Sequence, residues 1–194
     1  MIRFILMLLL FFVSVTVSSF AAAEATIKIA AIFAYSGVAS TSNQASVLGV
    51  RYGVEEVNKR GGVLGRKIEL LELDNASTPI GSKIAADIAV EKQVTAIIGA
   101  SWSSHSLAVA KVAQTAGIPM ISTDSTHPEV TRIGDYIFRV CYTDPYQGSL
   151  MAHFALSELG VTTASMLVDA SSNYSTGLAS VFSHHFKERG GRIE

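Results

Sequence analysis

The residues best suited to bind a small molecule lie in one serine-rich segment, Gly99-Ala100-Ser101-Trp102-Ser103-Ser104. The residues before it, Val94–Ile98, predict a buried strand, and the residues after it predict a helix that runs to Ala116. The first N–H groups of a helix lack intrahelical partners and lie at the positive end of its dipole, so this segment is suited to hold an anion. The alternative is that Ser103 or Ser104 only caps the helix.

The same segment also permits an enzymatic interpretation. The pattern G-A-S-W-S at residues 99–103 differs in its last residue from G-x-S-x-G, the strand-to-helix turn in which a serine attacks and a histidine is the base. Ser101 would be that nucleophile. Spacing assigns no orienting carboxylate to His105, His127 or His153, so we expect these histidines to be polar surface or rim residues and predict no catalytic residue.

No other motif in the sequence points to phosphate, nucleotide or metal chemistry. Gly61–Lys67 is rich in glycine but lacks the spacing of a phosphate-binding loop, and G-x-G-x-x-G is absent. His184 and His185 are adjacent, so we do not expect them on one helix face as zinc ligands would be. Cys141 is the single cysteine, which excludes a disulfide scaffold and a zinc ribbon. We therefore predict no metal and no cofactor.

The composition predicts a folded chain that does not bind nucleic acid. Of 194 residues, 49% are hydrophobic, which is enough to build a core. The 15 Lys and Arg residues are balanced by 16 Asp and Glu residues, whereas phosphate binding requires a basic excess.

The first 23 residues have the pattern of a secretory signal. Arg3 precedes the apolar run Phe4–Val17, and Ala21-Ala22-Ala23 supplies the small residues of a cleavage site. The alternative is a membrane anchor, but the run is short for a spanning helix of about 20 residues. We predict cleavage after Ala23 and export of a soluble protein, which would be periplasmic in a cell with an outer membrane.

Strand and helix patterns alternate through residues 24–143. Val47, Val50, Val54 and Val57 recur at helical spacing. Predicted strands cover Ile27–Ala34, Lys67–Asp74, Val94–Ile98, Ile118–Ile121 and Tyr136–Val140, with a further helix at Pro79–Glu91. This alternation predicts an α/β fold with a parallel sheet between helices. Ligands of such sheets bind beyond the carboxyl ends of the strands, so loops 35–43, 99–104 and 122–128 should converge on one crevice.

The pattern changes near Asp144-Pro145. A helix is predicted at Tyr146–Leu159, then a strand at Ala164–Val168, a loop at Asp169–Ser175, a helix to Gly190-Gly191 and the beginning of a strand at Arg192. One such unit cannot bury a core of its own. We therefore expect a signal at 1–23, a first α/β lobe at 24–143 and the incomplete start of a second α/β lobe at 144–194, and we interpret the sequence as truncated.

In combination these stretches resemble the periplasmic substrate-binding proteins of branched-chain amino acid ABC transporters, the leucine/isoleucine/valine type. The matching stretches are Ile27–Gly37, Gly49–Leu71, Asp74-Asn75 with Pro79, Ile97–Ser104, Met120–Thr131 and Asp169–Ala179. The resemblance implies a two-lobed type I periplasmic binding fold about twice as long as this chain. It also implies a protein without catalytic activity that captures an amino acid, branched-chain or small and apolar, and delivers it to a membrane permease. A sensory receptor ectodomain on the same fold is the alternative, and it would need a membrane segment beyond Glu194.

The resemblance also assigns ligand-binding roles to residues of this sequence. Ser103 matches the serine that holds the ligand carboxylate, with Ser101 beside it in the same loop. Ser125 and Thr126 match the pair that offers a carbonyl and a hydroxyl to the amino acid head group. Tyr174 matches the tyrosine of the second lobe that covers the ligand on closure.

Several positions depart from the family pattern. Ser42 replaces a frequent aromatic residue, Asp124 adds a charge where a small residue is common, and Trp102 and Ser77 replace a disulfide pair of some members. The acidic residue that pairs with the ligand ammonium is expected outside this sequence.

Overall fold

Five parallel strands form the central sheet of the structure, a computed structural model that describes residues 26–194. The predicted signal and its cleavage site lie outside the described residues. The strands are β1 (Ile27–Phe33), β2 (Ile68–Asp74), β3 (Ala96–Gly99), β4 (Met120–Ser122) and β5 (Ile137–Arg139), in the spatial order β2-β1-β3-β4-β5. The parallel α/β sheet predicted from the alternating pattern is therefore confirmed.

Helices connect the strands and cover both faces of the sheet. They are α1 (Ser40–Lys59), α2 (Pro79–Glu91), α3 (Ser103–Ala116), α4 (Glu129–Arg132), α5 (Asp144–Ser157) and α6 (Asn173–Glu188). Helix α2 has the bounds that the sequence predicts, because Thr78 caps it by accepting a hydrogen bond from the Gly81 N–H and Pro79 is its first residue. Helix α3 ends at Gly117, which has the left-handed conformation typical of a C-terminal stop.

Strand β1 lies at the centre of the core. Ala30 and Ile32 pack on one face with side chains of α2 and α3, whereas Ala31 and Phe33 pack on the other face with Val47 of α1. Successive side chains of a strand point to opposite faces, so a strand covered on both faces is apolar at every position. This explains the continuous apolar run of β1 in the sequence.

The remaining strands, β6 (Thr163–Ala164) and β7 (Arg192–Ile193), form a small parallel sheet, and helices α5 and α6 pack against each other. The predicted strand Ala164–Val168 is wrong in its extent. A strand needs a neighbour to pair with, and β7 pairs only with Thr163 and Ala164, so Leu167 is fully exposed. The beginning of a strand at Arg192 is confirmed. Among residues 26–194, no helix has the length and apolar character needed to cross a membrane.

Gly99 lets β3 approach β1 closely at the edge of the sheet where the site lies. Its φ is +114°, and an added Cβ would lie 2.1 Å from the carbonyl oxygen of Ile32. We expect Gly99→Ala to lower the free energy of unfolding of the full chain by about 2 kcal/mol or more, measured by urea denaturation. Gly53→Ala in α1 is the control, because a Cβ there meets no atom within 4 Å. It should stabilise the helix by up to about 1 kcal/mol. Equal effects of the two substitutions would contradict the close approach at Gly99.

Candidate functional site

A cavity of about 650 Å³ lies beyond the carboxyl ends of β3 and β4. Its walls come from the segment between β3 and α3, the loop between β4 and α4, and residues of α5, α6 and the loop before α6. The lining residues are Ser77, Pro79, Ser101, Trp102, Ser103, Ser104, His105, Asp124, Thr126, Tyr142, Gln147, Asp169, Ser171, Ser172 and Tyr174. Two of the three predicted loops, 99–104 and 122–128, therefore converge here.

The third predicted loop, 35–43, contributes no residue to this cavity. It is held against the loop after β2, where Ser36 donates to Asp74 (2.5 Å) and Ser77 donates to the Ser36 carbonyl (2.6 Å). Tyr35 lines a separate depression of about 330 Å³ with residues of α1. The expectation that all three loops meet is thus wrong for this loop.

Asp74 anchors the loop after β2. Its Oδ1 accepts hydrogen bonds from the N–H groups of Tyr35, Ser36 and Ala76. Partial burial alone would raise the pKa of Asp74, but the hydrogen bonds from the Ser36 hydroxyl and from these backbone groups bring it below its ordinary value. The carboxylate therefore stabilises the connection that places Ser77 at the cavity.

Helix α3 begins at the cavity without a side-chain cap. Trp102 is the N-cap residue, its backbone is extended, and its carbonyl accepts the first intrahelical bond from the N–H of Ser106 (2.9 Å). The amides of Ser103, Ser104 and His105 precede that bond, and all three residues line the cavity. The capping alternative is therefore wrong, and the geometry agrees with an anion site at the positive end of the helix dipole.

Ser103 joins this helix start to the neighbouring loop. It is only 2% exposed, and its Oγ accepts a hydrogen bond from the backbone N–H of His127 (3.3 Å). Ser101 is also buried, and its Oγ lies 3.4 Å from Thr123 Oγ1. In the described part of the chain no histidine is hydrogen-bonded to Ser101, so the geometry expected of a serine nucleophile and its base is not present there.

A network of buried hydroxyls lies behind the cavity wall. Ser106 Oγ, Ser122 Oγ and Ser125 Oγ all lie within hydrogen-bond distance of the Ala100 carbonyl, at 2.9, 3.0 and 3.4 Å. Ser106 Oγ is also 2.6 Å from Ser125 Oγ, which donates to the carbonyl of Ser101 (2.8 Å). The network ties the segment after β3 to the loop after β4.

Ser125 consequently does not reach the cavity. Its hydroxyl belongs to the network, and its carbonyl accepts a hydrogen bond from Arg139 Nη1 (2.7 Å). Placing this residue at the ligand head group is a prediction that the structure corrects, because adjacent residues of the loop point in different directions. Thr126, its neighbour, is 7% exposed and lines the cavity, and its Oγ1 has no hydrogen-bond partner.

Tyr174 lies across the cavity from the start of α3. Helix α6 begins at Asn173 because Ser172 caps it by accepting from the Ser175 N–H (3.2 Å), so the predicted loop Asp169–Ser175 ends two residues early. Tyr174 is 40% exposed in the first turn of α6. The structure thus places Ser101, Ser103, Thr126 and Tyr174 in one cavity.

His105 is not the surface or rim residue that the sequence predicts. It is buried, its ring stacks on Trp102 with centroids 5.4 Å apart, and its Nδ1 is 3.4 Å from Asn75 Nδ2. Burial lowers the pKa of His105, and a hydrogen bond with the Ser77 backbone offsets part of that effect. The cavity wall therefore carries a neutral imidazole at neutral pH. His153 is exposed, as predicted.

Gln147, Tyr142 and Ser171 also line the cavity, and sequence reasoning did not find them. Asp144, one turn before Gln147 in α5, is fully buried behind the cavity wall. The sequence signal at Asp144 was its place before a proline at a predicted change of domain, which indicates a helix start rather than a ligand contact.

His184 and His185 converge despite being adjacent. His184 Nε2 lies 3.2 Å from Glu188 Oε1 and His185 Nδ1 lies 3.4 Å from Glu188 Oε2. One donor atom from each of the three residues lies within 4.8 Å of the others, which permits metal coordination. The expectation that adjacent histidines cannot share a site is corrected, because the carboxylate one turn later reaches both rings. This group lies outside the cavity lining.

Comparisons with known proteins give matches over nearly all of the described residues. The family model described as "Periplasmic binding protein" matches residues 26–193. The leucine-specific-binding protein of Salmonella typhimurium (strain LT2) is 30% identical over 168 residues, which is 86% of this chain and 45% of that protein. The Leu/Ile/Val-binding protein of Escherichia coli (strain K12) is 28% identical over the same length.

Solved structures give the same result. The leucine-binding protein LivK from Thermotoga maritima has a TM-score of 0.83 and 35% identity, over 87% of this chain and 48% of that one. LivJ from Streptococcus pneumoniae, solved in complex with isoleucine, has a TM-score of 0.80 and 29% identity over 87% of this chain and 48% of that one. This chain spans about half the length of the proteins it matches.

The lowered pKa of His105 predicts a pH dependence of stability. A histidine with a lower pKa in the folded than in the unfolded state binds fewer protons when folded, so its contribution is complete above the unfolded value and is lost as the pH falls below it. We expect the Tm of the full chain to fall between about pH 7.5 and pH 5, and to fall less in His105→Gln. His153→Gln replaces an exposed histidine and should keep the wild-type dependence. The same slope in His105→Gln as in the wild type would refute the assignment.

Proposed function

The chain belongs to the periplasmic binding protein family, and from this premise we propose that it is the amino-acid-binding component of an ABC transporter. The ligand is an amino acid, branched-chain or small and apolar, and the partner is the membrane permease that receives it. Residues 24–143 form the first lobe and residues 144–194 begin the second. The protein acts in the periplasm after cleavage behind Ala23. It binds and releases its ligand without chemical change.

The uncapped start of α3 is the observation that carries this proposal. Its free amides and the Ser103 hydroxyl offer donors to a carboxylate, while Thr126 Oγ1 lies in the same cavity without a partner. Donors at one wall and an acceptor at another complement a zwitterion. Hydrogen bonds to charged groups contribute about 1.5–3 kcal/mol each, so a few of them supply much of the roughly −8 kcal/mol of micromolar binding.

Aromatic side chains provide apolar surface in the same cavity. Trp102 is 42% exposed, and Tyr142 and Tyr174 are also partly exposed at the lining. Such rings present a flat apolar face with a polar edge, which suits contact with an aliphatic side chain. The printed names of the relatives describe binding of leucine, isoleucine and valine, and this ligand class is consistent with the lining. Closure of a second lobe would exclude water from these contacts.

An esterase function lacks support from the site. The Ser101 hydroxyl contacts Thr123 rather than a base, and the buried His105 contacts Asn75 and Trp102. A serine without a base to remove its proton is a weak nucleophile. We therefore infer that Ser101 shapes the cavity and does not attack a substrate.

Replacing Ser103 tests the anion site. In the full chain, Ser103→Ala removes a donor to the ligand carboxylate, and we expect the Kd for leucine to rise about tenfold or more by isothermal titration calorimetry. Ser157→Ala is the matched control, because Ser157 is exposed at the far end of α5 and outside the cavity lining. It should bind leucine as the wild type does. Unchanged affinity in Ser103→Ala would exclude the carboxylate assignment.

A further inference from the structure

Four unpartnered oxygen atoms are clustered at one wall of the cavity. In residues 26–194, the buried side-chain nitrogen and oxygen atoms without a hydrogen-bond partner are Thr126 Oγ1, Asp144 Oδ1, Asp144 Oδ2 and Gln147 Oε1. Every one of them is able to accept a hydrogen bond, and only the threonine hydroxyl also donates one. Buried polar atoms are nearly always paired, so four such atoms on three neighbouring residues need an explanation.

Asp144 is the costly member of this group. The residue is fully buried, and an unpaired carboxylate in that position is strongly disfavoured. Burial raises the pKa of Asp144, and the nearby Thr126 hydroxyl and the charges of His127 and Arg139 offset part of that effect. The Thr126 hydroxyl is thus close to the carboxyl without completing a hydrogen bond of normal geometry.

The nearest cation does not neutralise this carboxylate by a direct bond. The Arg139 guanidinium donates to the carbonyls of Ser125, His127 and Pro128 and to Thr131 Oγ1. These contacts hold the loop that carries Thr126. The acid is therefore placed beside the threonine by the fold and not by an ion pair.

Packing holds Asp144 against Thr126 from two sides. The backbone N–H of Asp144 donates to the Thr126 carbonyl (3.0 Å), which links the start of α5 to the loop after β4. From α6, Gly177 packs so closely that an added Cβ would lie 2.8 Å from His127 Cδ2 and 3.4 Å from Asp144 Oδ2. Asp144 does not line the cavity, but Thr126 and Gln147 do.

We propose that Asp144 is a positioning residue that makes Thr126 a hydrogen-bond acceptor toward the ligand. Its buried carboxylate accepts the hydroxyl proton of Thr126, so that the lone pairs of Thr126 Oγ1 face the cavity beside Gln147 Oε1. A wall that presents only acceptors selects a group that only donates, such as the ammonium of an amino acid. The donor wall at the start of α3 takes the carboxylate of the same ligand.

This inference rests on the proposed function and adds a residue that fixes the orientation of the ligand. Without a buried acceptor, the Thr126 hydroxyl is free to donate as well as accept, and the wall would tolerate a ligand carbonyl or carboxylate. With Asp144 behind it, a reversed ligand would place an anion against unpaired acceptors and a buried negative charge. That arrangement is unfavourable.

Isosteric substitution tests this role in the full chain. Asp144→Asn keeps the size of the side chain and removes an unpaired buried charge, so it should fold. We expect its Kd for leucine to rise about tenfold or more, whereas its Kd for 4-methylpentanoate, which lacks the ammonium, should change less than about twofold. Asp135→Asn makes the same exchange at an exposed residue before β5, at the opposite edge of the sheet, and should leave both affinities unchanged.

The dependence on Thr126 separates positioning from a merely structural effect. In a Thr126→Val background no hydroxyl remains to be oriented, so Asp144→Asn should change leucine affinity less than about twofold. In a Thr126→Ser background the hydroxyl is kept, and the loss should again be about tenfold.

Two sets of results would overturn the proposal in different ways. Tight leucine binding that Asp144→Asn leaves unchanged, or an equal loss for leucine and 4-methylpentanoate, contradicts the role of Asp144 alone. A wild-type protein that binds no amino acid in a panel including leucine contradicts the proposed function, and the inference with it.

Discussion

The arrangement of the site depends on one backbone carbonyl, that of Ala100. The residue follows β3, and the hydroxyls of Ser106, Ser122 and Ser125 converge on its carbonyl oxygen. These residues belong to α3, β4 and the next loop, so one buried acceptor joins three elements. A buried network with its hydroxyls bonded resists distortion, because loss of any bond would leave polar groups unpaired. The distance between the free amides of α3 and Thr126 is therefore set by the core and not by the mobility of loops.

This rigid frame separates two kinds of polar surface within one cavity. The start of α3 offers N–H groups and a helix dipole, which favour negative charge. The wall of Thr126 and Gln147 offers oxygen atoms in front of a buried acid, which favour a cationic donor. His105 adds no charge near neutral pH because burial lowers its pKa. The cavity is thus polarised without an exposed lysine or arginine in its lining, and a small zwitterion matches both walls.

Local pattern was sufficient to predict the elements and the edge of the sheet where the site lies. The continuous apolar run of β1 and the capped start at Thr78 have local causes, and both are confirmed. Ser125 and His105 were misplaced because their burial depends on partners distant in sequence, such as Arg139 and Asn75. Strand β6 was overextended for a similar reason, since its length is set by its pairing with β7 and not by its own apolar residues.

Asp144 shows how a functional side chain is concealed by a sufficient local explanation. An acid in the first turn of a helix is favoured by the helix dipole, so Asp144-Pro145 is explained by the start of α5 alone. Its burial becomes evident only when Thr126 from one loop and Gly177 from α6 are packed around it. The dipole of α5 offsets part of the cost of an unpaired carboxylate, which lets the fold tolerate the charge. The same charge is then available to orient a neighbouring hydroxyl, so a feature that stabilises a helix end also defines the polarity of a binding wall.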